Sequence, residues 1–490
     1  MPLATSHSTT PTPGPPRTVA FTVRLLVLAA LVVIPLRIVR LGFLPPDDAL
    51  RHAAKAVSGR PWAEIVLLRP GMTLDAHTGW HAFLGAVHRA TGADAHALVL
   101  LSVILLFVLA SLPAALVLRR PEAGLAALLV LTLADVRSFS RLVSGRPLLL
   151  SMAVVCTVAL VWPRLRDRLD PRRAALLVAL FAVATVAHGS WFLFLLPLAC
   201  FFLVGERRCG LRLTACWAAG VVAGAVLTGH PVGFLVQAVR HVVLSLGSGE
   251  PTRALTMEFQ PAQGAPLMVA AVAIVLSFRA QQPLRRASLA DPVFALAVAG
   301  WALGFVTLRF WMDWGAPAAV VWIALEIEHA LESRVGPEEP RRLALVAALV
   351  LATALAITND HDGRWTAPQL PGLTSRDSRQ EEWLPQPGGI LYSTEMWVFY
   401  RTFYGNPLAP WRYALGFEPG LMPPEDLAIF RAYLARGGDA SALQGWQRKM
   451  RPADRLVVPH DPGSPPAVSG LEWHQVLPGV WSGRLAAASP

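Results

Sequence analysis

The chain has 490 residues, of which 54% are hydrophobic and only 15% are charged, and its formal net charge is +11. Soluble domains carry about 25% charged residues, so this composition excludes an ordinary soluble enzyme and indicates a polytopic membrane protein. The excess charge is mostly arginine beside apolar segments, which indicates topology signals and contact with membrane lipids. We therefore expect no nucleic-acid partner.

The N-terminal region is polar and rich in Pro and Thr, and residues 1–18 are expected to form a disordered cytoplasmic tail. The apolar run that follows lacks a small-residue cleavage site, which indicates a retained membrane helix rather than a signal peptide. The four cysteines show neither a disulfide framework nor the spacing of a metal site.

Apolar segments recur along the chain, and each is about long enough to cross roughly 30 Å of hydrocarbon. We expect about eleven membrane helices, near residues 20–40, 97–118, 123–136, 147–163, 174–188, 190–205, 211–229, 265–278, 291–308, 315–331 and 342–358. The fifth and sixth are predicted to be a helix pair that meets at a tight turn, "HGSW".

Every second short connection is rich in arginine, and the positive-inside rule places such loops in the cytoplasm. These basic loops contain Arg119–Arg120, Arg164–Arg173, Arg207–Arg212, Arg279–Arg286 and Arg334–Arg342. The N-terminus is then cytoplasmic in an inner membrane, and the loops 41–96 and 230–264 are extracytoplasmic. Three arginines of the turn 137–146 lie on the outer side against the rule, which favours a functional role for this turn.

The composition changes after residue 358, where Pro, Trp, Arg and Asp become frequent. "GGILYSTEMWVFY" is strand-like and "PPEDLAIFRAYLARG" is helix-like. The roughly 130 residues of this segment are enough for a small domain with its own core. We therefore expect an all-α polytopic membrane domain over 19–358, followed by a small α/β extracytoplasmic domain over 359–490.

Asp47 and Asp48 lie just beyond the first predicted membrane helix, and Arg51 and His52 follow them. Such a carboxylate pair could bind a divalent cation or act as general base on an incoming hydroxyl. The alternative is a helix cap, because "PPDDALRHAAKA" has the pattern of a helix start. The two interpretations are compatible, since one aspartate can cap while the other faces a cavity.

Three further candidates lie on the predicted outer face. Asp135 lies at membrane depth, where an acid costs about 2.5–3.5 kcal/mol, but a local ion pair with Arg137 explains it equally well. His188 lies at the helix break, where a structural role is favoured over ligand binding. Glu258 in "RALTMEFQP" is a candidate for contacting substrate, although a solvated loop would also explain it.

Arg309 ends an apolar segment on the outer side, and Asp313 follows four residues later. Arginine binds phosphate well because its planar fork makes two parallel hydrogen bonds. The alternative is an Arg309–Asp313 ion pair near the headgroups. Because all five groups of candidates share one predicted membrane face, they indicate a site for a charged, lipid-linked substrate between the membrane helices and the outer domain.

This arrangement resembles the C-type membrane glycosyltransferases, which use polyprenyl-phosphate-linked sugar donors, and it is locally similar to oligosaccharyltransferase catalytic subunits. The resemblance is carried by the acidic pair with Arg51, Asp135 in the second outer loop, the break "HGSW", and "LTMEFQP" in the long outer loop. It implies an inverting transfer of a sugar to an acceptor on the outer face. Oligosaccharyltransferases also carry a Trp-Trp-Asp-Tyr-Gly motif in the soluble domain, and no such run follows residue 358. The acceptor is therefore left open between a lipid, a glycan and a protein.

The resemblance also implies roles for individual residues. Asp47 or Asp48 would deprotonate or orient the acceptor, and Glu258 would contact the acceptor or a metal. A divalent cation, Mg²⁺ or Mn²⁺, would have Asp48 and Asp135 as candidate ligands. The donor phosphate would be bound by Arg309 with Arg137 and Arg51, and the other site candidates are His52, His188 and Asp313.

Two other classes of function remain open on the sequence. A transporter or flippase for a lipid-linked glycan would use the same arginines, but transporters commonly contain internal repeats, and none is evident here. A non-catalytic scaffold subunit would tolerate substitution of the acidic residues.

Overall fold

A computed structural model describes residues 18–247, 255, 257–262, 266–280, 290–369 and 371–486. The predicted cytoplasmic tail, apart from Thr18, lies outside the described residues, as does Thr256 of "LTMEFQP". The basic loop Arg279–Arg286 is described only up to residue 280.

The N-terminal two thirds of the chain is helical. Its first helices are α1 Thr18–Arg40, α2 Asp48–Ser58, α3 Thr78–Thr91, α4 Ala95–Val117, α5 Pro121–Ala134, α6 Val136–Leu142, α7 Leu148–Asp167, α8 Pro171–Ala187, α9 Leu195–Leu203, α10 Arg207–Val226 and α11 Pro231–Gly247. The next are α12 Pro266–Ala280, α13 Pro292–Gly304, a short helix Leu308–Phe310, a π-helical turn Trp311–Gly315, α14 Ala316–Arg334 and α15 Pro340–Thr358. Single turns of 3₁₀-helix occur at Trp62–Glu64, Trp191–Phe194, Met257–Phe259 and His361–Gly363.

Aspartates begin several of these helices because their side chains accept a hydrogen bond from a free backbone N–H of the first turn. Asp94 accepts from the backbone N of Ala97, at 2.8 Å, at the start of α4. Asp170 and Asp291 cap α8 and α13 in the same way, and in both helices proline occupies the first turn. These carboxylates have a structural role.

Among the described residues, five helices are long and apolar enough to cross a membrane: α1, α4, α7, α10 and α15. Other apolar helices are shorter, at 10–17 residues, including Pro121–Ala134, Trp191–Leu203, Pro231–Leu244, Leu267–Ser277 and Pro292–Gly304. The predicted helical domain is thus present and supports an integral membrane protein, but the predicted number of about eleven spans is not confirmed. The expected helix pair at "HGSW" is confirmed, because α8 ends at Ala187 and a new helical segment begins at Trp191.

Four of the basic loops meet at one end of the bundle. Arg342 pairs with Glu122, with Nε 2.7 Å from Oε1, and both side chains are buried. Arg164 donates to the carbonyl of Val117 at 3.2 Å, and Arg166 pairs with Glu206 at 3.0 Å. The loops therefore lie together, as the alternation of short basic connections predicts, whereas their cytoplasmic orientation stays a prediction.

The C-terminal region contains a five-stranded mixed sheet in the order β2-β1-β3-β5-β4. Its strands are β1 Ile390–Ser393, β2 Arg412–Tyr413, β3 Arg455–Pro459, β4 Leu471–Leu477 and β5 Val480–Leu485. β1 pairs in parallel with β2 and β3, and β5 pairs antiparallel with β3 and β4. The helices are Ser378–Glu381, α16 Met396–Gly405, α17 Pro424–Ala435 and Gln444–Gln447, and 3₁₀ turns lie at Pro419–Leu421 and Ala440–Leu443.

The helix prediction for "PPEDLAIFRAYLARG" is confirmed by α17, but the strand prediction for "GGILYSTEMWVFY" is only half right. Its second half forms α16, because Phe399 and Phe403, four residues apart, stack on one helix face and both contact the ring of Tyr413. Aromatic residues favour strands locally, and this packing overrides the preference.

The first long loop is attached to the C-terminal sheet. Val66 forms a parallel bridge with Tyr413 of β2, where Leu67 donates its backbone N–H to the carbonyl of Tyr413 at 2.8 Å. The backbone N of Tyr413 donates in turn to the carbonyl of Ile65 at 2.9 Å. Because α2 precedes this bridge and packs on α16, the C-terminal domain covers the end of the bundle where α2 lies.

Candidate functional site

A cavity of about 1220 Å³ lies between the helical bundle and the C-terminal domain. Its walls come from the start of α2, from α6, from the break after α8, from the 257–259 turn, from the 307–314 segment and from α16. The predicted site residues among its lining are Asp47, Asp48, Arg51, Arg137, His188, Glu258 and Arg309. Residues from distant parts of the sequence thus meet in a space large enough for an extended ligand.

Asp47 caps α2, and both Asp47 and Asp48 line the cavity, so the two interpretations of this pair hold together. Asp47 is the N-cap residue, and its side chain accepts from the backbone N of Asp48 at 2.6 Å. Asp48 accepts from Nε of Arg51 at 2.7 Å, and the Arg51 guanidinium also packs over the ring of Phe417, 4.5 Å from its centroid. Arg51 is therefore already held by this chain, and its predicted contact with a donor phosphate gains no support from these bonds.

Two arginines that were not among the candidate residues connect the acidic groups. Arg146 binds Asp47 and Glu258 and lies 3.4 Å from a carboxylate oxygen of Asp48. Arg141 binds Glu258 and also Asp313, where Nε lies 2.9 Å from Oδ1. Both belong to the three arginines of the turn 137–146 whose positive charge, on the side where the positive-inside rule disfavours it, predicted a functional role for this turn.

Arg309 pairs with Asp313, as one of the two interpretations predicted, with Nε 3.1 Å from Oδ2. Asp313 is fully buried and does not line the cavity, whereas the side chain of Arg309 is 27% exposed and does. Within the described part of the chain, the terminal nitrogens of Arg309 have no hydrogen-bond partner. The ion pair therefore orients Arg309 while leaving two donor groups for an anion.

Asp135 has a structural role, because its carboxylate is used by hydrogen bonds within the protein. Its carboxylate accepts from the backbone N of Ser138 at 3.1 Å, from the Ser138 hydroxyl at 2.7 Å and from Nε1 of Trp311 at 2.7 Å. It is the N-cap of α6 and is not part of the cavity wall. The alternative ion pair with Arg137 is also wrong, because Ser138 and Trp311 take the carboxylate and Arg137 is exposed beside the cavity.

The predicted pair of metal ligands, Asp48 and Asp135, does not fit a shared cation. Asp48 is engaged by the guanidinium groups of Arg51 and Arg146, and Asp135 by three neutral donors within its own turn and from Trp311. Within the described ranges, no group of three or more His, Cys, Asp or Glu residues has an arrangement that could hold a metal ion. We therefore assign no step to a metal here.

The histidine candidates occupy different positions. His188 lines the cavity, and its Nδ1 is buried without a hydrogen-bond partner among the described residues, which differs from the satisfied structural residue that was expected. His52 lies behind the cavity wall, with its Nδ1 2.8 Å from Nε2 of His81. His77, which the sequence did not single out, lines the cavity with its ring centroid 5.3 Å from that of His188.

Burial and nearby arginines shift the pKa values of the cavity carboxylates in opposite directions. Burial raises the pKa of Glu258, but Arg141, Arg146 and Arg309 outweigh it and hold that pKa well below its usual range. For Asp48, burial likewise raises the pKa, and Arg51 and Arg146 lower it further than burial raises it. Both groups are therefore ionised at neutral pH and are weak proton acceptors.

No protein-family model and no curated protein sequence matches this chain. Its structure is similar to that of AftD, an arabinofuranosyltransferase from Mycobacteria, with 18% identity and a TM-score of 0.50 over 95% of this chain and 42% of that one. This chain thus spans less than half of that protein. An oligosaccharyltransferase from Archaeoglobus fulgidus, in complex with Zn and sulfate, has 12% identity and a TM-score of 0.46 over 90% of this chain and 67% of that one. The chain therefore shares its fold with this arabinofuranosyltransferase, in agreement with the fold that the sequence resemblance implies.

Proposed function

We propose that this protein transfers a sugar or glycan, with inversion, from a polyprenyl-phosphate or polyprenyl-diphosphate donor to an acceptor on the outer membrane face. The observation that carries the proposal is that Asp47, Asp48 and Arg309 line one cavity although more than two hundred residues separate them in sequence. A transferase needs an anion-binding group and an acceptor-binding group on either side of one reacting carbon.

Arg309 is the group we assign to the donor phosphate, together with Arg137. Both line the cavity, and Arg309 is oriented by its bond to Asp313. Large apolar side chains lie exposed beside these arginines, with Val136 at 52% and Val306 at 67% exposure. A polyprenyl chain can cover this apolar surface while its phosphate reaches the arginines.

Asp47, Asp48 and Glu258 are the groups we assign to the acceptor. In the reaction, the acceptor oxygen forms a bond to the anomeric carbon on the face opposite the phosphate, and the bond from that carbon to the phosphate oxygen breaks. The electron pair leaves with the phosphate, whose charge Arg309 stabilises, so no general acid is required. Asp47 or Asp48 deprotonates or orients the acceptor hydroxyl.

The proposed topology supports this assignment. With the basic loops in the cytoplasm, the cavity and the domain over 359–490 face the extracytoplasmic side of an inner membrane, and the domain over 19–358 spans it. The partners of the protein are then the donor, the acceptor and the membrane lipids. The donor sugar is linked to a lipid that remains in the bilayer.

The test is transfer by the purified protein in liposomes containing a panel of polyprenyl-phosphate sugars and candidate acceptors. The variant D47N/D48N should lose transfer while it still binds polyprenyl phosphate, because asparagine preserves the helix cap but removes the negative charge. The matched control is D439N, at an exposed aspartate that caps only a short turn of the C-terminal domain. Transfer by D47N/D48N at the wild-type rate would remove both aspartates from the mechanism.

The same liposomes distinguish the two alternatives. A transporter or flippase would move the lipid-linked sugar between leaflets without an acceptor, and D47N/D48N would leave that movement unchanged. A scaffold subunit would show neither transfer nor movement by itself, and cells carrying D47N/D48N would retain the product.

A further inference from the structure

Five titratable side chains pack together where the first long loop meets the break after α8. They are His52, Asp75, His77, His81 and His188. His77 and His188 belong to the cavity wall, and the other three lie behind His77. The function proposed above gives no role to this cluster, apart from the cavity that it helps to enclose.

Asp75 fixes the position of His77 and the tautomers behind it. One of its carboxylate oxygens accepts from the backbone N of His77 at 2.9 Å, and the other binds Nδ1 of His81. A carboxylate accepts only, so Nδ1 of His81 donates and its Nε2 accepts from Nδ1 of His52, 2.8 Å away. The ring of His52 packs edge-on against His77, with ring centroids 4.7 Å apart.

His77 and His188 present ring nitrogens to which no described residue forms a hydrogen bond. Within the part of the chain that the structure describes, Nδ1 of His188 is buried without a partner, and His188 is only 7% exposed although it lines the cavity. The ring nitrogens of His77 make no hydrogen bond with the described residues. A buried polar atom without a partner is costly, so a ligand hydroxyl that bonds to it would be favoured.

The carboxylates of the same cavity, in contrast, are bound by arginines of this chain. Arg146 and Arg51 hold Asp47 and Asp48, and Arg141 and Arg146 hold Glu258. Burial lowers the pKa of His77 well below its usual value, and the charge of Arg51 lowers it further, so this imidazole is neutral at neutral pH. The difference between the two kinds of group is geometric: guanidinium groups occupy the carboxylate oxygens, whereas no described residue bonds a ring nitrogen of His77, which is left to meet an acceptor hydroxyl.

We propose that the imidazole of His77 receives the proton of the acceptor hydroxyl, that His188 hydrogen-bonds the same acceptor, and that Asp75, His81 and His52 position His77. This inference rests on the proposed glycosyl transfer and assigns Asp47 and Asp48 to orientation of the acceptor. As the bond from acceptor oxygen to anomeric carbon forms and the phosphate leaves with the electron pair, the hydroxyl proton moves to a ring nitrogen of His77. Water removes that proton after the phosphate leaves.

The charged and titratable groups around His77 come from three elements. They are Asp48, Arg51 and His52 of α2, Asp75 and His81 of the segment that contains His77 itself, and His188 after α8. Because two of these are carboxylates already paired with Arg51 and His81, removal of His77 leaves the ion pairs of the cavity intact.

The experiment compares His77→Ala with His361→Asn, a control at an exposed histidine outside the cavity. H77A should lose at least about 100-fold in turnover at saturating donor, the range of a general base, while its affinity for polyprenyl phosphate stays at the wild-type value. Added imidazole should restore part of the turnover of H77A and none of that of D47N/D48N. Asp75→Asn should lower kcat with little change in the KM for the donor, and should change the pH profile.

Wild-type turnover in H77A, or a loss that affects donor affinity equally and that imidazole does not relieve, would overturn the proposal. If H77A does not fold, the variants His188→Asn and Asp75→Asn test the proposal instead. Unchanged turnover in both of them would overturn it. Absence of transfer by the wild-type protein with every donor would refute the proposed function instead, so the two failures are distinguishable.

Discussion

Arg141 and Asp313, 172 residues apart in the sequence, form an ion pair with Nε of the arginine 2.9 Å from Oδ1 of the carboxylate. The aspartate is fully buried and the arginine side chain is 3% exposed. Because Arg141 also binds Glu258, this single guanidinium connects α6, the 257–259 turn and the π-helical turn Trp311–Gly315. The position of the donor arginine, Arg309, depends on the same carboxylate.

Replacement of Arg141 should destabilise the protein. Arg141→Met removes the cation that Asp313 and Glu258 share, but Arg309 and Arg146 still bind these carboxylates. We therefore expect a cost below the roughly 3–5 kcal/mol of a buried charge that loses its only partner. The measurement is the free energy of unfolding in mixed micelles. The matched control is Arg137→Met, at an exposed arginine of the same turn. Equal stability of the two variants would show that the Arg141 ion pairs do not hold these segments.

Gly300 should be intolerant of a side chain. A Cβ built there lies 2.4 Å from Cα of Gly315, so the backbone of the π-helical turn must move. We expect Gly300→Ala to cost about 1–3 kcal/mol, as overpacking does, and to lower donor affinity because Asp313 and Arg309 shift with the turn. Gly463→Ala is the control, since no atom of the described residues lies within 4 Å of its Cβ position. Thermal unfolding identical in both would contradict the close packing of α13 on this turn.

Acid should destabilise the cavity region. The folded-state pKa values of Asp48 and Glu258 lie below their unfolded values, so their ion pairs stabilise the fold at neutral pH, and that contribution is lost as the pH falls below about 4. The check is Tm as a function of pH between about 7 and 3. Glu258→Gln should lower Tm at neutral pH and reduce its further fall in acid. A variant that loses as much Tm in acid as the wild type does would exclude Glu258 as a source of the effect.

Arg309 should set the affinity for the donor phosphate. Arg309→Ala removes charged hydrogen bonds worth about 1.5–3 kcal/mol, so we expect Kd for polyprenyl phosphate to rise about 10- to 100-fold. Arg309→Lys should retain part of the affinity, because lysine keeps the charge without the planar fork. The control is Arg334→Ala, at an exposed arginine of a basic loop. An unchanged Kd in R309A would show that another arginine binds the donor phosphate.

Asp135 should tolerate a neutral substitute. Asparagine has a single acceptor oxygen, so it keeps either the cap on α6 or the bond from Trp311, and we expect Asp135→Asn to cost about 1–3 kcal/mol and to preserve transfer. Asp135→Ala should be more destabilising, because it leaves the Trp311 indole and the first N–H groups of α6 without an acceptor. Loss of transfer in D135N with an unaltered Tm would show that Asp135 acts directly in the reaction.

The sequence predicted which residues lie near the site better than it predicted which partners those residues contact. It singled out Glu258 as a side chain of the long outer loop that can contact a substrate, and Arg309 because the planar fork of arginine binds phosphate. Asp135 was placed in the site because an acid at membrane depth is costly, yet its partners are Ser138 and Trp311. A carboxylate at membrane depth has the same sequence signature whether it caps a helix or contacts a substrate.

The sequence by itself determined the apolar helices, the alternation of basic loops and the aspartates that begin helices. Each of these depends on hydrophobicity, charge or hydrogen bonds within a few neighbouring residues, which the local sequence specifies. Only the tertiary structure decided that Arg146 pairs with Asp47, 99 residues away, and that Arg141 pairs with Glu258, 117 residues away. Buried ion pairs form where helix packing brings charges within a few ångströms of each other, and no local pattern specifies that packing. The same packing placed His77 opposite His188 and thereby determined which side chains face the cavity.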